Sequence, residues 1–455
     1  MTSVVVLGGG PAGNQAASRA ASLGAHVTLV ERDIVGGAAH LWDCIPSKAM
    51  IATAGALSFS QRMEGLGFSP AATPNFVDYD ALRARIVDLT ARLQRSVEGL
   101  LASQGVKVVR GDGRLLGPTT VAVSVPDGPE QELGADAVVI STGSRPRVPE
   151  WAEPDGIRVL TTRQAYPPPE LPEHLVVVGS GVTGVEFVHM FSSLGSKVSL
   201  IVSRQHVLPH KDAEVAAALE HELLRRGVHL FKGARAESVD HGSGGVAVHC
   251  DDGRVVRGSH VLLAVGALPN SEHLGLERAG VVTDKWGYVT VNHHCQTNVP
   301  HIYAAGDVSG KLPLSSVAAM QGRKVAEHIM GLHTLEHRHI DYEKAASAIF
   351  TEPEIADVGL AEAEAFASGR KIRVTKVPFS ASARALINDD PRGFVKIISD
   401  PATGVVLGGC VVGNQAAELI SVIALAVTAG LKVSDVVESC LVHPSLAEAL
   451  AEAAE

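Results

Sequence analysis

Apolar positions gather first at Val4 to Leu7, a short run that stops at a glycine cluster and gives way to the alanine-rich stretch NQAASRAASLGA. That order predicts a strand, a tight turn and a helix. The next apolar segment, HVTLVE, predicts a second strand ending at Glu31. The pattern returns from His174 in HLVVVGSGVTGVEFVHMFSSLGSKVSLIV, again as strand, glycines, helix and strand. Leu312 to Arg323 predicts a turn that enters a helix at Ser315 or Ser316. Further on, FVKIISDPATGVVLGGCVVG sets two strand-like runs around Asp400 to Gly404 and predicts a hairpin. The helix expected after it, in ELISVIALAVTAGL, is apolar enough to be buried against core or partner.

The two glycine clusters carry the first chemistry. Gly8, Gly10 and Gly13, with Pro11 and Ala12 between the last two, let backbone approach a pyrophosphate at a helix N-terminus. Glu31, followed by Arg32, stands where a carboxylate accepts hydrogen bonds from a ribose. Gly179, Gly181 and Gly184, with Val182 and Thr183 between, repeat the arrangement, so the chain is expected to bind two nucleotides. The second repeat ends in Ser203 and Arg204 with no acid at the ribose position. A hydroxyl and a guanidinium hydrogen-bond a 2′-phosphate that an acid would repel, which favours NADPH with NADH tolerated. Arg204 reads equally as a solvated loop charge.

Composition narrows the partners. The 455 residues suffice for two to four domains at about 150 residues each, and 46% hydrophobic content fills several cores. A net charge of -10 argues against a basic track for nucleic acid or an anionic membrane surface. Ile420 to Leu431 falls short of the roughly 20 apolar residues a bilayer span requires. No signal peptide is read at the N-terminus, so a cytoplasmic protein without integral membrane contact is expected. Cys44, Cys250, Cys295, Cys410 and Cys440 lack metal-ligand spacing, and no metal site is expected.

Two dinucleotide repeats followed by IYAAGD at Ile302 to Asp307 resemble the pyridine nucleotide-disulfide oxidoreductase family, and the likeness runs over essentially the whole chain. STGSRPRVP from Ser141 resembles that family's crossover segment, and TNVPHIYAAGD its second FAD motif. IFTEPEIADVG, PFSASARA and HPSLAEA resemble segments of its C-terminal dimerisation domain. The resemblance implies an α/β, glutathione-reductase-like chain with two Rossmann-like dinucleotide-binding domains and an α+β C-terminal dimerisation domain. The FAD domain is expected over 1–150 and 267–335, the NAD(P) domain over 151–266 and the interface domain over 336–455. FAD contacts are implied at Gly37, Ala38, Gly113, Thr142, Gly143 and Gly306. Asp307 is implied to bond the ribityl chain, and Gly266 to lie against NAD(P).

Set beside the family's paired-cysteine motif, GGAAHLWDCIPSK puts Cys44 on the flavin-proximal cysteine and Ala39 on the exchange cysteine. A thiol-disulfide relay needs both sulfurs, so disulfide reduction is not expected. The segment, with GSGVTG and LPLSSVAAMQGR, resembles the lipoamide-dehydrogenase-like NAD(P)H:quinone reductases of actinobacteria, and a quinone is the implied acceptor. Cys44 reads as an inert thiol, a flavin-tuning thiol or a peroxidatic cysteine. The resemblance pairs Lys48 with Glu186, the lysine beside flavin N5, and points the N-terminus of the helix at Ser315 towards the flavin. It puts His443 and Glu448 on the family's catalytic pair, which crosses to the partner of a homodimer, and His443 reads either as proton donor to a reduced quinone or as a retained remnant. Competing functions are a soluble pyridine nucleotide transhydrogenase, a single-cysteine peroxide or coenzyme A disulfide reductase, and a non-catalytic flavin-bearing subunit.

Overall fold

The computed structural model describes every residue except 62, 70–76, 127, 243 and 333–338. The expected boundary between 335 and 336 lies outside the described residues. The chain divides into two compact units, one of Met1–Ser47, Asp80–Arg147 and Gly266–Tyr342, the other of Lys48–Tyr79, Val148–Val265 and Glu343–Glu455.

In the first unit, Ser3–Leu7 is the central strand of a parallel five-stranded sheet. Its neighbours are His26–Glu31 and then Lys107–Arg110 on one side, Ala137–Ile140 and then Ile302–Ala304 on the other. A strand buried on both faces reads as a continuous apolar run, and VVVL and AVVI do so. Against the sheet lies helix Pro11–Ser22, with Ala12, Ala16, Ala17 and Ala20 buried. Its small face admits helix Ser315–Ile329 so closely that a Cβ on Gly322 would fall 2.0 Å from the Ala12 carbonyl oxygen. The unit also holds a three-stranded antiparallel sheet, Asp112–Gly117, Thr120–Ser124 and Gln131–Gly134.

The second unit contains another parallel five-stranded sheet, ordered His229–Lys232, Lys197–Val202, His174–Val178, His260–Leu263 and Val159–Thr161. Helix Val182–Ser193 follows its central strand, as the repeated sequence pattern predicts. The C-terminal segment forms a five-stranded antiparallel sheet that includes the hairpin Phe394–Ser399 and Val406–Val412. The hairpin turn is held by Asp400, whose Oδ1 accepts the Ala402 and Thr403 N–H groups and the Thr403 hydroxyl. Helix Ala416–Ala429 then buries Ala416, Leu419, Ile420, Ile423, Ala426 and Val427, one face at helical spacing.

Candidate active site

The two glycine turns have one construction. In the first unit, Gly8 has φ +101° and a Cβ there would lie 2.4 Å from the Ser141 carbonyl oxygen; one on Gly13 would lie 1.9 Å from the Gly8 oxygen. In the second unit, Gly179 has φ +110° and its Cβ would lie 2.2 Å from the Ala264 oxygen, that of Gly184 1.9 Å from the Gly179 oxygen. These four are glycines because strand, turn and helix meet there. Gly10 and Gly181 differ: a Cβ on either would meet nothing within 4 Å. Each is the N-cap of its helix and supplies no side-chain cap, so the first-turn N–H groups are not capped by a side chain there. That combination fits a nucleotide pyrophosphate.

Glu31 is more occupied than its sequence position suggests. Its Oε2 accepts the Gly9 N–H at 2.6 Å and its Oε1 the Asp33 N–H at 2.7 Å, so the carboxylate also braces the turn it serves. Burial raises its pKa from the ordinary value against the lowering effect of those two bonds. Each oxygen keeps a lone-pair direction for a ribose hydroxyl. Arg32 is exposed, 3.4 Å from Asp33 and 3.9 Å from Asp112. Gly37, with φ +58°, packs its Cα against the first turn, where a Cβ would fall 2.9 Å from the Gly10 Cα. Gly113 lies where a side chain would strike Leu7.

STGSRPRVP and TNVPHIYAAGD meet in the first unit. Thr142 donates its hydroxyl to the Asn270 carbonyl at 2.6 Å, and the Asn270 side-chain amide donates to the Thr142 carbonyl at 2.9 Å. Gly143 accepts the Asn270 N–H at 2.9 Å. Asp307 accepts the Ser144 hydroxyl at 2.7 Å, while the Gly306 N–H donates to Gln321 Oε1 at 2.7 Å. Asn270, Ser144 and Gln321 are supports that sequence reasoning missed. In the same unit the half-buried Cys44 sulfur stands 3.4 Å from the hydroxyl of Ser315, the first residue of its helix. All five cysteines are free thiols, with Cys250, Cys295 and Cys410 buried and Cys440 exposed.

The second unit pairs the expected ions. Lys48 Nζ donates to Glu186 Oε2 at 2.9 Å, and Glu186 Oε1 accepts the Phe350 N–H at 2.9 Å. The ammonium also lies 4.7 Å from the centre of the Phe350 ring. Glu186 is buried and carried by the helix that follows the second glycine turn. Ser203, Arg204, Val182 and Thr183 are exposed beside that turn. The Gly266 carbonyl, in the first unit, accepts the Arg147 N–H at 2.9 Å. At the C-terminus, His443 Nδ1 is 2.7 Å from Glu448 Oε1, and Glu448 Oε2 accepts the Ser445 N–H at 2.9 Å. The Ser445 N–H, and after it His443, hold the Glu448 carboxyl below its ordinary pKa. The His443 side chain is 73% exposed, so its outer nitrogen is open to another molecule.

Comparison with known proteins gives the chain its family. Residues 2–322 match the pyridine nucleotide-disulphide oxidoreductase model, and residues 345–454 match the dimerisation domain of the same group. An NAD(P)H dehydrogenase (quinone) of Mycobacterium tuberculosis is 42% identical over 100% of this chain and 93% of its own length. A dihydrolipoyl dehydrogenase of Zymomonas mobilis is 34% identical over 99% of this chain and 96% of its own. The crystal structure of LpdA from M. tuberculosis superposes with a TM-score of 0.95 at 42% identity, covering 100% of this chain and 99% of that one. A Cu(II) complex of the HOCl-induced flavoprotein disulfide reductase RclA from Escherichia coli gives a TM-score of 0.89 at 27% identity, covering 100% and 98%. Among the described residues no helix is long and apolar enough to cross a membrane. With both family models matched in order along nearly all its length, the chain belongs to the pyridine nucleotide-disulphide oxidoreductases, a family of FAD-binding, NAD(P)H-dependent enzymes.

Proposed function

We propose that this flavoprotein oxidoreductase takes hydride from NAD(P)H and passes the electrons to a quinone, without a disulfide step. The observation that carries the reading is the retained ion pair of Lys48 and Glu186 together with alanine at position 39 and a Cys44 thiol whose neighbour is a hydroxyl. A chain with both nucleotide turns intact and one thiol in place of two retains hydride chemistry and lacks a dithiol relay. The name of the 42% identical relative agrees.

Bound FAD would supply the acceptance of hydride at N5 and its delivery to the quinone. Gly8, Gly10, Gly13 and Glu31 would hold it, with Asp307 on its ribityl chain, as the family resemblance implies. Lys48 presents a positive charge that stabilises the reduced ring, and Glu186 keeps that charge paired and aimed. Ser203 and Arg204 take a 2′-phosphate, which makes NADPH the preferred donor. Glu448 accepts from Nδ1 of His443, which leaves Nε2 as the nitrogen that hands a proton to reduced quinone.

The active form is a homodimer in which His443 serves the partner's site. Its support is the dimerisation-domain match and the apolar side chains left in solvent on that domain: Leu425 is 65% exposed and Val442 74%.

The test is anaerobic. The purified flavoprotein is reduced with one equivalent of NADPH, and flavin reoxidation is followed after adding menadione, lipoamide or oxidised glutathione in separate runs. Rapid reoxidation by menadione alone is expected. Reoxidation by either disulfide overturns the reading of Ala39.

A further inference from the structure

Three histidines of the first unit converge outside the cofactor motifs. His293 and His294 sit on a tight loop in which Asn292 Oδ1 accepts the N–H groups of His294 at 2.8 Å and Gln296 at 3.1 Å. Cys295, with φ +59°, turns its buried thiol inward. The two imidazoles stand with centroids 4.1 Å apart, and His339 closes the group at 4.3 Å from His293 and 4.8 Å from His294. One ring nitrogen from each of the three lies within 4.8 Å of the others.

The surroundings hold the group in place. His328, from the last turn of helix Ser315–Ile329, stacks on His294 at 4.3 Å and is fixed by the Tyr303 hydroxyl, 2.9 Å from its Nδ1. Three residues beyond His339, the Tyr342 hydroxyl accepts from Gln321 Nε2 at 2.9 Å and also contacts the Cys295 thiol. The His339 segment is thereby tied to the same loop that carries His293 and His294.

We propose that His293, His294 and His339 form a binding site for a divalent cation of the zinc, nickel and copper class, with a further coordination position open to water. Imidazole-only donor sets suit these borderline metals and not magnesium or calcium, which take oxygen ligands. Bonds of about 2.0–2.1 Å in tetrahedral geometry place ligand nitrogens roughly 3.4 Å apart. Exposed His293 and His339 reach that separation by side-chain rotation, with closure on the order of 1 Å. The metal would clamp the 292–296 loop to residues 339–342. Sequence reading names no metal here because the ligands come from two stretches without recognisable spacing.

The experiment uses the full chain, FAD-loaded, free of any histidine tag and stripped with chelator. Calorimetric titration with Zn²⁺ is expected to show one tight equivalent per chain and none with Mg²⁺. The double variant His293→Ala, His339→Ala removes exposed side chains and is checked for unchanged flavin content and circular dichroism. In it, Zn²⁺ affinity is expected to fall at least 30-fold. Absence of the tight equivalent in the wild type, or its survival in the folded double variant, overturns the site. Should the variant misfold, electron paramagnetic resonance of Cu²⁺ added to the wild type decides. Splitting from three nitrogens supports the site, and a spectrum without nitrogen splitting overturns it.

Discussion

The Lys48 ammonium lies 2.9 Å from one oxygen of Glu186, and the other oxygen of that buried carboxylate takes the Phe350 N–H at the same distance. Glu186→Ala leaves a half-buried ammonium and a main-chain donor without their acceptor, at about 1–3 kcal/mol. Urea unfolding measures that loss. Glu186→Gln keeps the shape and removes the charge, so it is expected to fold normally and to slow flavin bleaching by NADPH at least tenfold in stopped flow. Bleaching within twofold of wild type would end the case for the pair in catalysis.

The glycines of the second turn separate folding from binding. Gly181→Ala adds a methyl to open space at an ordinary backbone angle, φ -74°. The variant is expected to melt within a few degrees of wild type and to raise KM for NADPH about tenfold. Gly184→Ala forces a methyl to 1.9 Å from the Gly179 carbonyl oxygen and 2.9 Å from its carbonyl carbon, a backbone group that cannot rotate away. It is expected to lower the melting temperature sharply or to leave no soluble protein. Equal thermal stability in the two variants contradicts this assignment.

Arg204 is exposed beside that turn, and among the described residues no ion pair to its side chain is found. Arg204→Ala is expected to raise KM for NADPH about tenfold and to leave KM for NADH within twofold, because only one of the two carries a 2′-phosphate. Equal effects on both cofactors would make Arg204 a solvent-facing charge.

His189 supplies a pH dependence. Burial, helped by Arg226 at 3.1 Å, lowers its pKa from 6.5 to about 4. As pH falls below 6.5 the unfolded chain takes up a proton that the native chain refuses until about pH 4, so acidification favours unfolding. The contribution lost is about 2 kcal/mol by pH 5. His189→Gln keeps a polar group towards Arg226 and cannot titrate. Urea unfolding at pH 7.5 and pH 5 is expected to show a smaller drop for the variant, and identical drops would refute the shift.

Cys44→Ser is expected to keep quinone turnover within about tenfold of wild type, since no step assigned to the chain uses its thiolate. Near-complete loss of turnover in a folded, FAD-loaded variant would make the sulfur a participant.

Sequence and structure agree where chemistry is local. The glycine turns, the strand ending at Glu31, the helix beginning at Ser315 and the hairpin around Asp400 are each written within a few residues. The approach of Lys48 to Glu186 spans 138 positions and was legible only through family likeness. Phe350, which completes that site, belongs to IFTEPEIADVG, where nothing in a phenylalanine's own neighbourhood marks it as a cation's support. The bonds of Glu31 to Gly9 and Asp33 depend on side-chain rotamer, which sequence patterning does not encode. His339 reaches His293 only through the folded path of the chain between them.

The contrast between outer and middle glycines sets how freely this enzyme can drift. A lineage that loses Gly179 or Gly184 loses the domain with it, so those positions are closed to exploration. Around Gly181, Ser203 and Arg204 there is room for change, and on the proposed reading its cost falls on affinity. If Ser203 and Arg204 choose the nucleotide as proposed, descendants can exchange one for the other through a few exposed substitutions, while strand and helix pass unaltered between generations.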